Sequence, residues 1–162
     1  FKDKEIRVNK YSERADGQEA LIVKEPWYVY NANYGTKEEK DFVAMFARRF
    51  ESINQKYDNI YLIRNERVLK IFDKHGRAFE PDFILFCKLK DKDQLTYQVF
   101  IEPKGAHLIA NDKWKEEFLE EIRKEKKTIN LITDKYRITG VPFYNNTNEN
   151  EFKNSMEEVL GI

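Results

Sequence analysis

A single cysteine, Cys87, stands in a chain of 162 residues. No disulfide can form within the chain, which fits a reducing compartment and points to the cytoplasm. Beside it are only two histidines, His75 and His107, so a Cys/His zinc site is excluded. The six glycines are spaced for neither a Walker loop nor a dinucleotide fingerprint, which argues against ATP or NAD binding by this chain. No apolar run is long enough for a membrane-spanning helix. Excess charge is also missing: 29 basic residues meet 29 acidic ones. That balance argues against a strongly basic nucleic-acid coat and an acidic tail, while leaving room for a local basic groove. The chain starts at Phe1 with neither Met nor signal peptide, and reads as a piece of a longer protein.

What is present is a foldable composition. Hydrophobic residues make up 41% and aromatic residues 14%, far from a disordered chain. The length suits one domain with one good core. Residues 1–35 read as an N-terminal extension or linker from a larger protein, with a turn at Asp16-Gly17 and a strand over Lys24 to Tyr30. The domain proper spans 36–162. Thr36 followed by Glu39 forms a capping box, and Phe42, Val43, Phe46, Ala47 and Phe50 continue at helical spacing toward an end near Glu51 to Gln55. Strands are expected at Ile60 to Ile63, Val68 to Phe72, Phe79 to Cys87 and Thr96 to Ile101, with a turn over Lys74 to Arg77 and a charged hairpin loop over Lys90 to Gln94. A second helix is expected over Asp112 to Lys126, with Trp114, Phe118 and Ile122 on its apolar face. A short buried strand over Thr128 to Thr133, another strand over Ile138 to Tyr144 and a last helix over Glu149 to Leu160 complete the order. The fold class that follows is α/β of the α+β mixed kind, with a central mixed β-sheet flanked by helices.

Two adjacent strands carry the chemistry. Asp82 follows Pro81 within an apolar run, and Glu102 and Lys104 follow Val99-Phe100-Ile101. Side chains two apart on a strand share a face, so Glu102 and Lys104 point the same way. If the strands pair through the loop at 90–94, Asp82 comes near Glu102. Two carboxylates at the end of a buried sheet need a compensating cation, and Mg²⁺ suits oxygen ligands. Lysine beside such a site orients or deprotonates a water and stabilises developing negative charge. On the first helix, at about 100° per residue, Glu39 falls inside the apolar stripe and Glu38 at its margin. A carboxylate in a core-facing stripe needs a partner.

These residues carry a resemblance. "PD" in EPDFILF, "ExK" in FIEPKG and a glutamate on a preceding helix look like the PD-(D/E)xK nuclease motif. The blocks TKEEKDF, YLIRNERV, FEPDFILF, IEPKG with His107 beyond it, WKEEFLEEI and VPFYN resemble, in that order, the C-terminal endonuclease domain of type III restriction enzyme Res subunits, over roughly residues 36–160. The resemblance implies a restriction-endonuclease-like core and a Mg²⁺-dependent DNA endonuclease, with Mn²⁺ able to substitute. It also implies a helicase-like translocase in cis, a methyltransferase subunit in trans, and ATP bound only by the full-length enzyme. Carried over residue by residue, Asp82 and Glu102 ligate the metal with the Pro103 backbone carbonyl, Lys104 handles the attacking water, and Glu39 supports the site. Proline keeps its carbonyl and loses only its N–H, so it is compatible with that role.

Each residue also has a plainer reading. Asp82 could be a strand-start turn residue, Glu102 and Lys104 an exposed ion pair, and Glu39 only the capping partner of Thr36, with Glu38 in its place at the site. His107, Lys113 and Lys115 are candidates for DNA contact, against a loop residue and a solvated helix face. Arg48-Arg49 read as surface, Arg123 to Lys127 as charge suited to a helix C-terminus, and Cys87 as core. Asn145-Asn146-Thr147 matches a glycosylation sequon, discounted without a secretory signal. The functional alternatives are an inactive nuclease-fold module for DNA docking or subunit contact, and a nuclease of a repair or junction-cutting branch.

Overall fold

The computed structural model describes residues 25–30, 35–90, 95–125, 128–131 and 134–162; for 128–131 and 134 only the backbone is described. The elements are α1 (Lys37–Lys56), β1 (Tyr57–Arg64), β2 (Ile71–Phe72), β3 (Ala78–Phe79), β4 (Phe83–Leu89), β5 (Leu95–Ile101), α2 (Lys113–Glu125), β6 (Thr128–Leu131), β7 (Asp134–Gly140) and α3 (Glu149–Leu160), with a 3₁₀ turn at Ala106–Leu108 before α2. Five strands form one mixed sheet in the order β1-β4-β5-β7-β6, and β2 and β3 form a separate hairpin. Neighbours are antiparallel except β5 and β7, which run parallel. That parallel step is bridged by α2 and β6, as a parallel pair requires. The expected central mixed sheet with flanking helices is the fold observed.

Alternation along β4 and β5 decides the layers. Phe83, Leu85, Cys87, Tyr97, Val99 and Ile101 join one core with α1 and α3, and Ile84 and Phe100 join a second core with Leu119 of α2. Both strands are therefore covered on two faces, which explains their near-continuous apolar sequence. In the first core Phe42 lies within 5.1–6.3 Å of the rings of Phe46, Phe83, Tyr144 and Phe152. Cys87 is fully buried there, and burial pushes its thiol up to about 12. Trp27, Tyr28 and Tyr30 also belong to this core, and Tyr28 bridges Leu62 of β1, so the packed unit reaches back to residue 25. On the second face α2 meets β7 at Gly140: a Cβ there would stand 2.8 Å from the Leu119 carbonyl oxygen, so only glycine permits this approach.

Several elements differ from expectation. α1 starts at the expected cap, with both halves of the Thr36/Glu39 box formed, and ends at Lys56. The strand expected over Phe79 to Cys87 is interrupted at Glu80 to Asp82, because Pro81 has no N–H for a ladder; β3 turns back to β2, and β4 starts afresh at Phe83. Of Val68 to Phe72 only the last two residues form a strand. The Asn65 side chain takes the amides of Val68 and Leu69 as a local turn instead. The short buried strand expected over Thr128 to Thr133 is β6, Thr128–Leu131, at the edge of the sheet. The strand expected over Ile138 to Tyr144 starts earlier, at Asp134, and ends at Gly140, with an isolated bridge at Tyr144. The last helix has the expected bounds, ended by Gly161 at φ 63°. The Asp16-Gly17 turn and most of the 90–94 loop lie outside the described residues.

Candidate active site

Register builds the site. Phe83 of β4 pairs with Ile101 of β5, so the next residues outward, Asp82 and Glu102, meet at the same end of the sheet. The Asp82 amide donates to Glu102 Oε2 at 3.0 Å. Beyond β5 the backbone stays paired: Tyr144 N–H donates to the Glu102 carbonyl at 3.1 Å and Lys104 N–H to the Tyr144 carbonyl at 2.8 Å. These two bonds straddle Pro103, which has no N–H to lose. They hold Glu102 and Lys104 on one face, as the spacing requires. Among the described residues no hydrogen bond falls on the Pro103 carbonyl.

An open cleft of about 590 Å³ lies over this sheet end. Asp82, Glu102, Pro103, Lys104, Glu39, His107 and Lys115 all line it, and so does Glu38. Lys113 does not: it is 73% exposed on α2, 3.7 Å from Glu117. Of the three residues considered for DNA contact, the fold therefore brings His107 and Lys115 to the cleft and leaves Lys113 outside it.

Three residues important to the site carried no readable sequence signal. Arg64, at the end of β1 and paired with Phe83, holds Glu39 Oε2 at 2.9 Å. The same oxygen accepts the Thr36 amide at 2.9 Å. Glu39 thus has the partner that its place in the apolar stripe demands, and it is also the capping-box partner of Thr36. Asp112, just before α2, holds Lys104 Nζ at 2.8 Å and Lys115 Nζ at 3.3 Å. Glu80 lines the cleft and pairs with Lys70 at 2.8 Å. Only a register for β1 and a path for the 3₁₀ turn would have placed Arg64 and Asp112.

The electrostatics divide the cleft. Burial, with the charges of Glu102 and Glu39 close by, pushes the Asp82 carboxyl up to about 8 against the opposing pull of Lys104 and Arg64. Glu102, 3% exposed, is also raised, by burial above all, although Lys104, Lys115 and the Asp82 amide pull the other way. Burial works against the charge of Lys104, yet its hydrogen bond to Asp112 and the neighbouring Glu102 hold its ammonium above the ordinary lysine value. Asp112 is held low, first by the hydrogen bond from Lys104.

Among the described residues no three His, Cys, Asp or Glu side chains are gathered as a metal cage. The donor chemistry nevertheless fits a hard divalent cation. Asp82, Glu102 and the Pro103 carbonyl are all oxygen donors, and two carboxylates that resist ionisation, one half-buried and one buried, are relieved by added positive charge.

The chain belongs to the family HI_1054_C, described as a C-terminal domain, which it matches over residues 5–159. It is 39% identical over 152 residues to an uncharacterized protein of Haemophilus influenzae (strain ATCC 51907 / DSM 11121 / KW20 / Rd). That alignment covers 87% of this chain and 33% of the relative, so the chain spans about a third of the length of the curated relative it matches. No solved structure matches the chain significantly.

Proposed function

We propose that this member of the HI_1054_C family is a metal-dependent DNA endonuclease domain of the PD-(D/E)xK kind, with a restriction-endonuclease-like core. The observation that carries the reading is the meeting of Asp82, Glu102 and Lys104 at one sheet end beneath an open cleft. Asp82, Glu102 and the Pro103 carbonyl are the groups that would hold Mg²⁺, or Mn²⁺ in its place. Bound there, the cation would polarise a phosphate and lower the pKa of a water.

The chain's own residues divide the remaining work. Lys104, kept protonated between Glu102 and Asp112, orients the water and stabilises charge on the phosphorane-like transition state; a protonated lysine is not the base. Water oxygen bonds to phosphorus and gives up its proton to solvent in the open cleft, the bond from phosphorus to the 3′ oxygen breaks, and that oxygen takes up a proton from solvent. The products carry 5′-phosphate and 3′-hydroxyl ends. Glu39 holds the helix wall through Arg64 and Thr36 and so fixes the cleft from the opposite side.

By resemblance the module serves a type III restriction enzyme Res subunit acting on double-stranded DNA in the cytoplasm. An ATP-using translocase lies in cis and a methyltransferase subunit in trans. No helix among the described residues is long and apolar enough to cross a membrane. The test is cleavage of duplex DNA with Mg²⁺ by the full-length enzyme. Activity lost in Asp82→Asn, Glu102→Gln and Lys104→Ala supports the reading, and activity unchanged in Asp82→Asn sinks it.

A second reading, an inactive nuclease-fold module for docking, draws on one observation: two lysine ammoniums already face Glu102 Oε1. Wild-type enzyme that binds DNA yet never cuts, with any divalent cation and all partners present, would favour it.

A further inference from the structure

Glu102 Oε1 has two cationic neighbours of different standing. Lys104 Nζ is 3.1 Å away and shares the strand-end face of Glu102 itself. Lys115 Nζ is 3.9 Å away, beyond hydrogen-bond reach. It arrives from α2, held by Asp112 at 3.3 Å and lying 5.8 Å from the Phe79 ring centre. Acid and base alternate around the group Glu102, Lys104, Asp112, Lys115, and Glu102, Lys104 and Lys115 of that group line the cleft. A carboxylate oxygen faced by two ammoniums has little field left for a divalent cation. Lys115 is the member that can leave, because its side chain is 23% exposed and its contact with Glu102 is the longest in the ring.

We propose that Lys115 is a displaceable counter-ion that shields Glu102 until a nucleic-acid phosphate draws it away. Phosphate then takes the ammonium, Glu102 Oε1 gains room for the cation, and metal and DNA favour each other's binding. The device is built from this chain's own side chains and rests on the nuclease reading. It makes the metal site weak in the free protein and strong only on substrate, a safeguard against cutting before DNA is seated.

The experiment is calorimetric Mn²⁺ titration of the full chain, alone and with a short duplex whose backbone resists cleavage. Lys115→Met and Lys115→Gln remove the charge; the second keeps an amide able to bond Asp112. Lys113→Met is the control, since Lys113 lies outside the cleft. Without DNA, both Lys115 variants are expected to bind Mn²⁺ about fivefold more tightly than wild type, and the control within about twofold. The gain in Mn²⁺ affinity that wild type shows on adding duplex shrinks correspondingly in the variants. Lys115 variants within twofold of wild type in both conditions would overturn the shielding role. Binding that survives Asp82→Asn and Glu102→Gln would overturn the nuclease reading itself. Binding lost in those two variants but insensitive to Lys115 overturns the shielding role alone. No Mn²⁺ bound by any form, with or without duplex, overturns both.

Discussion

The two sides of the cleft hold their carboxylates in opposite ways. On the helix side, Glu39 Oε2 takes one guanidinium hydrogen bond and one backbone amide, each at 2.9 Å, and its charge is matched locally. On the strand-end side, half-buried Asp82 and buried Glu102 crowd each other, and the Asp82 carboxyl is pushed up to about 8. A satisfied carboxylate holds structure together, because removing it strands its partners. A crowded pair costs stability and remains in wait for a cation, which is how reactive sites differ from structural ones. The contrast teaches that sharing a cleft is not sharing a role, and it can be broken by experiment at each carboxylate in turn.

The largest expected effect is on chemistry at the strand end. Asp82→Asn and Glu102→Gln should each lower DNA cleavage by about a hundredfold or more, while metal-free Asp82→Asn melts at the same temperature or higher. Steady-state cleavage and thermal melts of the same preparations check both halves. A variant that loses fold and activity together would erase the contrast.

The helix side should answer with the reverse pattern. Glu39→Gln removes the ion pair to Arg64 and weakens the capping box, at a cost of about 1–3 kcal/mol in denaturant unfolding. Thr36→Ala should cost about 1 kcal/mol. Cleavage by the folded Glu39→Gln protein should fall less than tenfold in the same assay, where about tenfold is the scale of a positioning contact. If it falls as far as Asp82→Asn, Glu39 belongs with the reacting groups.

A smaller effect lies in the pH dependence of stability. An acid with a raised folded-state pKa keeps its proton in the fold after the unfolded chain has released it. Stability therefore falls as pH rises from about 4, the ordinary value, to about 8, and the loss is complete above that. Glu102 is shifted in the same direction and adds to the fall. The melting temperature of metal-free protein should drop by several degrees between about pH 5 and pH 8, at about 2–4 °C for each kcal/mol. Asp82→Asn should flatten the slope, and Mg²⁺ should restore more stability at pH 8 than at pH 6.

Much of the fold was legible because alternation and helical spacing are local. β4, β5, α1 and α3 follow from where Phe, Leu, Ile and Val recur, and Pro103 between Glu102 and Lys104 signals a strand end. The pairing of Asp82 with Glu102 was legible too, since a hairpin fixes the register of its strands. The break at Pro81 was not read as the end of one strand and the start of another, although the missing N–H was its signal. Leu119 was overlooked because its importance comes from Gly140 on a distant strand. Arg64 and Asp112 escaped for the same reason. Each reaches its partner across a tertiary gap, 25 residues from Arg64 back to Glu39 and eight from Lys104 to Asp112, with no periodicity to mark it.

The smallest effect sharpens the contrast within α2, where sequence alone ranked two lysines alike. Lys113 is 73% exposed and 3.7 Å from Glu117, an i,i+4 surface pair. Such pairs contribute about 0–1 kcal/mol and are screened by salt. Lys115, two positions on, turns about 200° around the helix and enters the cleft. Lys113→Ala should therefore change stability by less than about 0.5 kcal/mol and duplex affinity by less than about twofold. Lys115→Ala should weaken duplex binding and lower its salt slope by about one ion, because a phosphate contact releases a counter-ion and a remote lysine does not. Duplex titrations over a range of salt concentrations separate the two, and equal slopes for both variants would remove Lys115 from the DNA-facing wall.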